Sequence, residues 1–472
     1  MNDYFEQNYT YLIESLYRSV PKVHFESDVT YPHQYSVLDR EDFTMYETYS
    51  IDPDGCEDAD DAFSIYSVNN TLFLAIHIAD PTEYINLESN TWKEIINNVV
   101  TQYPSNRKPI HMMPIKIMEK ASLLVNNEGN IKNAITILVS LNSNTYVPEK
   151  IKLLFTKIRV KNENALSYKK ASESIFTHSD IYNALQISIV LQKLRSKKTI
   201  GTKLNEISQS YVTFKNGIPF LQKDGDYIIV MKQMIAEFAI LANSFVGEYL
   251  KLNLEGKGIF RTCNAKEWLL DKKELSGDEL LNEIISNGIR AEYLSENSSH
   301  DLVGMPEYAH FTSPIRRMSD CVCHYLLKFI YLRNENPDLK MPFNHEELNK
   351  LSNSCLHATK RVKQLQYKDT KFRLIQAMYY LLCLRESVTI QYYITSYTGL
   401  FLNLIICKIN NHDVHLSYTL RTQKQTIEFD NKKLYILNIT NVQCPGTYDE
   451  GSIPELDNEI FNLLSKHSES IS

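Results

Sequence analysis

The sequence predicts an α+β fold, and three observations carry that prediction. From about residue 41 to 160 the chain is built of apolar or alternating runs of strand length, among them ITILVSL and LFLAIHIA. From about Tyr168 to 200, and again after Asp226, the apolar spacing turns helical, with Gly258–Arg261 a strand-like break in the second block. From Ser387 to about Pro445 short strand-like runs return, as SVTIQYYITSYTGLFLNLIICKI, HDVHLSYTL, TIEF and KLYILNITNV. Several short strands in so little chain predict a small β-barrel of OB type.

The elements follow in order. Glu6 to Ser19 carries Tyr9, Leu12, Ile13, Leu16 and Tyr17 at helical spacing, in a segment too short to fold alone. Tyr49–Ile51, Ala62–Tyr66 and Leu72–Ala79 read as buried strands. IHMMP (residues 110–114) reads as a loop inside the core, and NAITILVSL and Glu149–Val160 as two more strands. Tyr168 opens a helical region that runs to about residue 200. IAEFAILANSFVGEYL (residues 235–250) is apolar almost all round, which predicts a buried helix with Glu237 inside it. A buried carboxylate needs a partner, either a structural ion pair or a ligand. In YAHFTSPIRR (residues 308–317), Thr312 or Ser313 suits an N-cap and Pro314 the first helical position. Arg316, Asp320 and His324 then share a helix face. That face is either an ordinary Arg–Asp pair or a phosphate site at a helix start. Leu348 to Leu384 is helical and basic, and the last ~25 residues read as a frayed helix and tail.

Composition narrows the function. The 472 residues contain 43% apolar and 23% charged side chains, ordinary for a soluble globular protein. The net charge of −7 means that any attraction for phosphate must be local. Thirty tyrosines against two tryptophans are mostly core and surface filler, with some rings able to stack on bases. The eight cysteines are scattered without zinc-ligand spacing, the N-terminus is acidic and polar, and no apolar run approaches the ~20 residues needed to span a bilayer. A cytoplasmic protein without a membrane segment, acting as a monomer, is the expectation.

One stretch organises the rest. SIDPDGCEDADDAF (residues 50–63) sets Asp52, Asp58, Asp60 and Asp61 within ten residues, with Asp54 and Glu57 among them. Such a density of like charge is unfavourable in a folded chain unless something neutralises it, and a divalent cation does so with hard oxygen ligands. An acidic run is commonly a solvated loop, but this one lies between two buried strands, where carboxylates are held rigidly and poorly hydrated. An EF-hand loop does not fit, because counting from Asp52 puts Phe63 where the bidentate Glu belongs.

SIDPDGCEDADDAF, AIHIADPTEYI, IAEFAILAN and EYAHFTSPIRR occur in that order, and the set resembles the ribonuclease II family, whose catalytic module is the RNB domain. The resemblance runs from about Asp39 to Gln366. It implies a mixed sheet core surrounded by helices, divided as a short segment over 1–40, the RNB catalytic domain over 41–385, the OB-type barrel over 386–450 and a tail over 451–472. It implies hydrolysis of single-stranded RNA from the 3′ end to 5′-monophosphates with Mg2+, or Mn2+ in its place. By motif position Asp52 and Asp61 would be the main metal ligands, Asp58 would serve a second ion, and Asp60 would be tied most directly to cleavage. Arg316 would stabilise charge on the scissile phosphate. Tyr103 and Tyr211 fall near the base-stacking positions, Tyr168 and Glu237 near the ribose, and Arg261 and Arg317 among the RNA contacts. The chain departs from the family in Met318, where an aromatic usually follows SPIRR, and in Cys263, which replaces a histidine. About 40 residues stand where two cold-shock domains usually do, so a short form is expected. The alternative is an RNA-binding or regulatory RNB-like protein with weak or no catalysis.

Overall fold

A computed structural model of the chain describes residues 2–17, 29–206, 210–384, 386–421, 433–443, 451–453 and 456. The expected C-terminal helix and tail lie outside the described residues, apart from 451–453 and 456. The chain opens with α1 (Asn2–Tyr17). Strands β1 (Glu41–Asp42), β2 (Ser50–Asp52), β3 (Asp61–Val68), β4 (Thr71–Ala79), β5 (Ile131–Leu141) and β6 (Pro148–Arg159) follow, with α2 (Asn90–Asn98) and α3 (Ile115–Ala121) between β4 and β5. A mixed sheet forms in the order β1-β6-β5-β4-β3, antiparallel from β3 to β6 with β1 parallel to β6. Asn69 and Asn70 join β3 to β4 with φ of 49° and 64°. Two left-handed residues make the tight turn whose twist matches a hairpin, and Asn accepts that conformation readily.

The central strands carry apolar residues on both faces. Ile76 of β4 sits between Phe63 of β3 and Ile137 of β5, and all three are buried. His77 is buried in the same layer, with Nε2 3.0 Å from Ser64 Oγ and Nδ1 2.8 Å from Thr136 Oγ1. Burial pushes its pKa down to about 3, so the ring is neutral.

Next come β7 (Ala165–Ser167), α4 (Tyr168–Ser174), α5 (Ser179–Ser196), β8 (Tyr211–Lys215), β9 (Ile218–Gln222) and α6 (Asp226–Asn253). Then follow β10 (Lys257–Thr262), α7 (Lys266–Asp271), α8 (Gly277–Ser286), β11 (Glu292–Glu296), α9 (Met318–Leu332) and α10 (His345–Cys383). The core of the sheet continues into Met231, Met234, Phe238, Ala242, Val246 and Leu250 of α6 and into Val322, Tyr325 and Leu326 of α9. By length and composition alone α6 could cross a membrane, which the sequence reading did not anticipate. Its core face is covered by protein. The expectation of a buried helix holds for that face, whereas Ile235, Ala236, Ala239 and Ile240 line a cavity.

The start of α9 corrects a second expectation. The helix begins at Met318, not at Pro314, and Arg317 ahead of it is extended, with φ −137° and ψ 127°. The reason is Asp320, whose Oδ1 accepts from Ser313 N at 2.8 Å and from Arg317 Nη2 at 2.8 Å. Residues 314–316 are thereby held as turns. Arg316, Asp320 and His324 do not form one stripe. Arg316 lies outside the helix, and the buried His324 bonds through Nε2 to the Phe311 carbonyl at 3.0 Å.

A buried ion cluster pins the motif after β4 to α9. Arg40 Nη2 lies 2.6 Å from both Asp80 and Glu83, and Lys328 Nζ lies 3.0 Å from Asp80 and 2.7 Å from Glu83. Burial alone would raise the Asp80 carboxyl, but Lys328 and Arg40 hold it well below the usual range.

Past α10, the strands β12 (Val388–Tyr397), β13 (Phe401–Ile409), β14 (His412–Arg421) and β15 (Tyr435–Ile439) form an antiparallel sheet in the order β14-β13-β12-β15. This β-rich region is consistent with an OB-type domain. It shares a core with Leu374, Ile375 and Met378 of α10.

Candidate active site

The acidic stretch is a loop closed by two strand ends. Asp52 ends β2, which runs parallel to β7 and pairs Asp52 with Ser167. Asp61 begins β3, and Ala79 N donates to the Asp60 carbonyl at 2.8 Å. Between them the chain turns through Gly55, whose φ of 78° favours a residue without a Cβ. Asp52, Asp58, Asp60 and Asp61 all line one cavity of about 500 Å3, together with Tyr103, Tyr168, Arg316 and Arg317.

Residues more than 250 positions apart meet at Asp60. Its Oδ1 accepts from Ile315 N at 2.8 Å and its Oδ2 from Arg316 Nε at 3.1 Å. Arg316 also donates through Nη2 to Ser313 Oγ at 3.0 Å, and its side chain remains 45% exposed toward the cavity. The Asp60 carboxyl is pushed up to about 7 by burial, against the pull of Arg316 and the Ile315 N–H. Asp52 is also raised to about 7, by burial and then by the charges of Asp60 and Asp58. Asp61 reaches about 7 through burial and the charge of Asp52.

These carboxylates fit a cation in their chemistry. They are hard oxygen donors, desolvated and mutually repelling, and Asp52 Oδ2 is buried without any hydrogen-bond partner. Among the described residues no three Asp, Glu, His or Cys side chains converge into a ready-made cage. The carboxylates that line the cavity and could hold an ion are those of Asp52, Asp58, Asp60 and Asp61.

The other expected site residues divide. Tyr103 Oη donates to Asp58 Oδ2 at 3.3 Å. Tyr168 lines the same cavity with Lys232 Nζ 5.6 Å from its ring. Arg317 lines it too, paired with Asp320; burial would lower its pKa, but Asp320 outweighs burial and raises it. Tyr211 sits in an adjoining cavity of about 670 Å3 that shares Lys232 and Ala236 with the first, and its Oη donates to Asp224 Oδ1 at 3.1 Å. Glu237 lines neither cavity. It is buried in a two-pronged ion pair with Arg195, Nε to Oε2 at 3.1 Å and Nη2 to Oε1, so of the two readings open for it the structural one holds. Arg261 also lies behind the wall, its guanidinium 4.7 Å from the Tyr293 ring, while Tyr293 Oη bonds at 2.7 Å to Nδ1 of the cavity-lining His310.

Three cavity residues escaped the sequence reading. Asn243 on α6 donates to Tyr308 Oη at 3.1 Å and accepts from Phe311 N at 2.8 Å, which fixes the chain leading into Arg316. A lone amide in an apolar helix was the available signal. His310 and Lys232 gave none that separates them from ordinary surface or core residues.

Residues 40–333 match the family model described as the RNB domain, well over half of the chain. The chain belongs to the RNB-domain family. Ribonuclease R 2 of Lactococcus lactis is 25% identical over 335 residues, 61% of this chain and 49% of that protein. The chain thus spans about half the length of the curated relatives it matches. Two solved structures show the same fold. Mycoplasma genitalium RNase R, in complex with ribose methylated single-stranded RNA, has a TM-score of 0.67 at 17% identity and covers 93% of this chain and 74% of that one. Yeast Ssd1, a pseudonuclease, has a TM-score of 0.61 at 16% identity and covers 81% and 50%.

Proposed function

We propose that this RNB-domain chain is a hydrolytic exoribonuclease that degrades single-stranded RNA from the 3′ end to 5′-monophosphates with magnesium, or manganese in its place. The observation that carries the reading is the meeting of Arg316 with Asp60 across 256 positions of sequence, inside a cavity lined by all four aspartates. Asp52 and Asp61 would hold the divalent ions, which would supply activation of water and neutralisation of charge at the leaving 3′ oxygen. Arg316 presents a half-exposed guanidinium to the phosphate and offsets the negative charge that builds up in the transition state. The Asp60 carboxylate aims that guanidinium, and the main-chain N–H of Ile315 fixes the carboxylate in turn. Tyr103 and Tyr211 supply stacking faces worth about 1–3 kcal/mol per base without sequence preference. Tyr168, which lines the same cavity as the acidic cluster, meets the ribose of the strand in this reading. RNA-degrading relatives and RNA-bound neighbours support this reading.

Asp60→Asn tests it. Release of nucleotides from labelled oligoadenylate with magnesium should drop at least ~10³-fold, while binding of the RNA persists. Undiminished turnover in that variant would rule the site out. The second reading, RNA binding without catalysis, has a pseudonuclease among the matching folds behind it. Tight binding of single-stranded RNA without shortening, across magnesium and manganese titrations, would select it.

A further inference from the structure

One buried arginine ties α1 to two segments of the wall of the Tyr211 cavity. Arg373 on α10 is 1% exposed and lines the larger cavity beside Tyr211. Its Nη1 donates to Glu6 Oε1 and to Gln376 Oε1, each at 2.8 Å, and its Nη2 to the Ser105 carbonyl at 3.0 Å. Its guanidinium lies 3.4 Å from the ring centre of Tyr9 and 4.8 Å from that of Phe214. Glu6 and Tyr9 belong to α1. Ser105 follows two residues after Tyr103. Phe214 belongs to β8, the strand that begins with Tyr211.

One turn earlier on α10, Asp369 repeats the arrangement. It accepts from Ser105 N at 2.9 Å and from Tyr9 Oη at 3.0 Å. Arg107 closes the ring, with Nη2 2.8 Å from Glu6 Oε2. Burial would raise the Glu6 carboxyl, yet Arg373 and Arg107 hold it below its usual range, so Glu6 is ionised at neutral pH. A helix that served only to cover Phe372 and Tyr379 would need Phe5, Tyr9 and Leu12 but no carboxylate aimed at a buried cation. A buried charge that loses its partner is costly, so this contact is position-specific in a way that apolar cover is not.

We propose that α1 braces the RNA channel. Glu6 and Tyr9 hold Arg373 and Asp369, these hold the Tyr103 loop and the Tyr211 hairpin at a fixed spacing, and that spacing sets how many nucleotides of a 3′ end are gripped at once. Arg373 is a positioning residue in this scheme. The identity of the gripped strand rests on the exoribonuclease reading, and the brace itself rests on the contacts alone.

The test uses the full chain with Glu6→Gln and Tyr9→Phe combined, substitutions that keep shape and remove the charge and the hydroxyl. Dissociation constants are measured in EDTA for a long oligoadenylate of about 20 nucleotides and for a trinucleotide that reaches only the acidic cavity. KM and kcat follow with magnesium. Affinity for the long strand should fall about tenfold, the loss of roughly one stacked base, with KM following it. Affinity for the trinucleotide and kcat should hold, while the melting temperature falls because the buried Arg373 loses its charged partner. Equal losses at both lengths, or none at the long one, would overturn the brace. A parent protein that binds the long strand but never cleaves it would overturn the enzymatic reading alone, because the EDTA ratio needs no turnover. A parent that binds neither would overturn both. Should the double variant unfold, Tyr9→Phe alone, which keeps the ring over the guanidinium, carries the same comparison.

Discussion

Asp52 illustrates what a single residue reports at this site. Its carboxyl is buried, faces Asp58 and Asp60, and keeps one oxygen unpartnered. With a folded pKa of about 7 against about 3.9 unfolded, the folded state binds more protons between those values. Its contribution to stability is therefore complete below about pH 4 and is lost as pH rises through 7. At pH 8 in EDTA, Asp52→Asn should stabilise the protein by about 1–4 kcal/mol, the ceiling being three pKa units. Magnesium should reverse the order by stabilising only the parent. Thermal melts with and without the ion read this out, and a variant that still gains stability from magnesium would remove Asp52 from the ligand set. The four aspartates and Arg316 were legible in the sequence because motif order marked them. The partner of Glu237 was not, because Arg195 lies 42 positions away on another helix with nothing local to distinguish it from other arginines.

Elements repeat that division. The strands flanking the acidic loop, the loop at Met112 and Met113, the long α6 and the basic α10 were all readable from apolar spacing. The start of α9 was not. Pro314 and Ser313 have the local chemistry of a helix start, but Asp320 takes the Ser313 N–H and the guanidinium of Arg317, and this delays the helix by a turn. The approach of segment 299–306 to residues 199–201 is likewise visible only in three dimensions. A Cβ at Gly201 would lie 1.9 Å from the Leu302 carbonyl oxygen, so backbone would have to move. Gly201→Ala should destabilise the protein by about 1–3 kcal/mol, measurable by urea unfolding. An unchanged midpoint would mean that the segment is not packed as described.

At the scale of the molecule, acid should act on the sheet as a whole. His77 is neutral in the core with a pKa of about 3, against about 6.5 unfolded. The unfolded chain binds the extra proton, so this stability is present above pH 6.5 and drains away as pH falls toward 3, by up to about 4–5 kcal/mol. The depressed Asp80 carboxyl adds a further loss below about pH 4. Urea midpoints measured from pH 7 to pH 4 should decline, and His77→Gln should flatten the decline. A parallel pH profile in that variant would show that the imidazole is not buried neutral. The α1 helix belongs to this scale too, since it is read from its own spacing yet finds its place on α10, some 360 residues later.

By itself the sequence determined the strands that flank the acidic loop and the long helices α6 and α10, that a carboxylate cluster stands between core strands, and which ordered motifs accompany it, because each of these depends on residues close together in the chain. Only the tertiary structure decided which charges neutralise one another: Arg316 with Asp60, Arg195 with Glu237, Lys328 with Asp80 and Glu83, Arg373 with Glu6. The physical reason is that a buried charge is stabilised by whatever ion lies within a few ångströms, and the sequence separation of the two leaves no trace in the pattern of either.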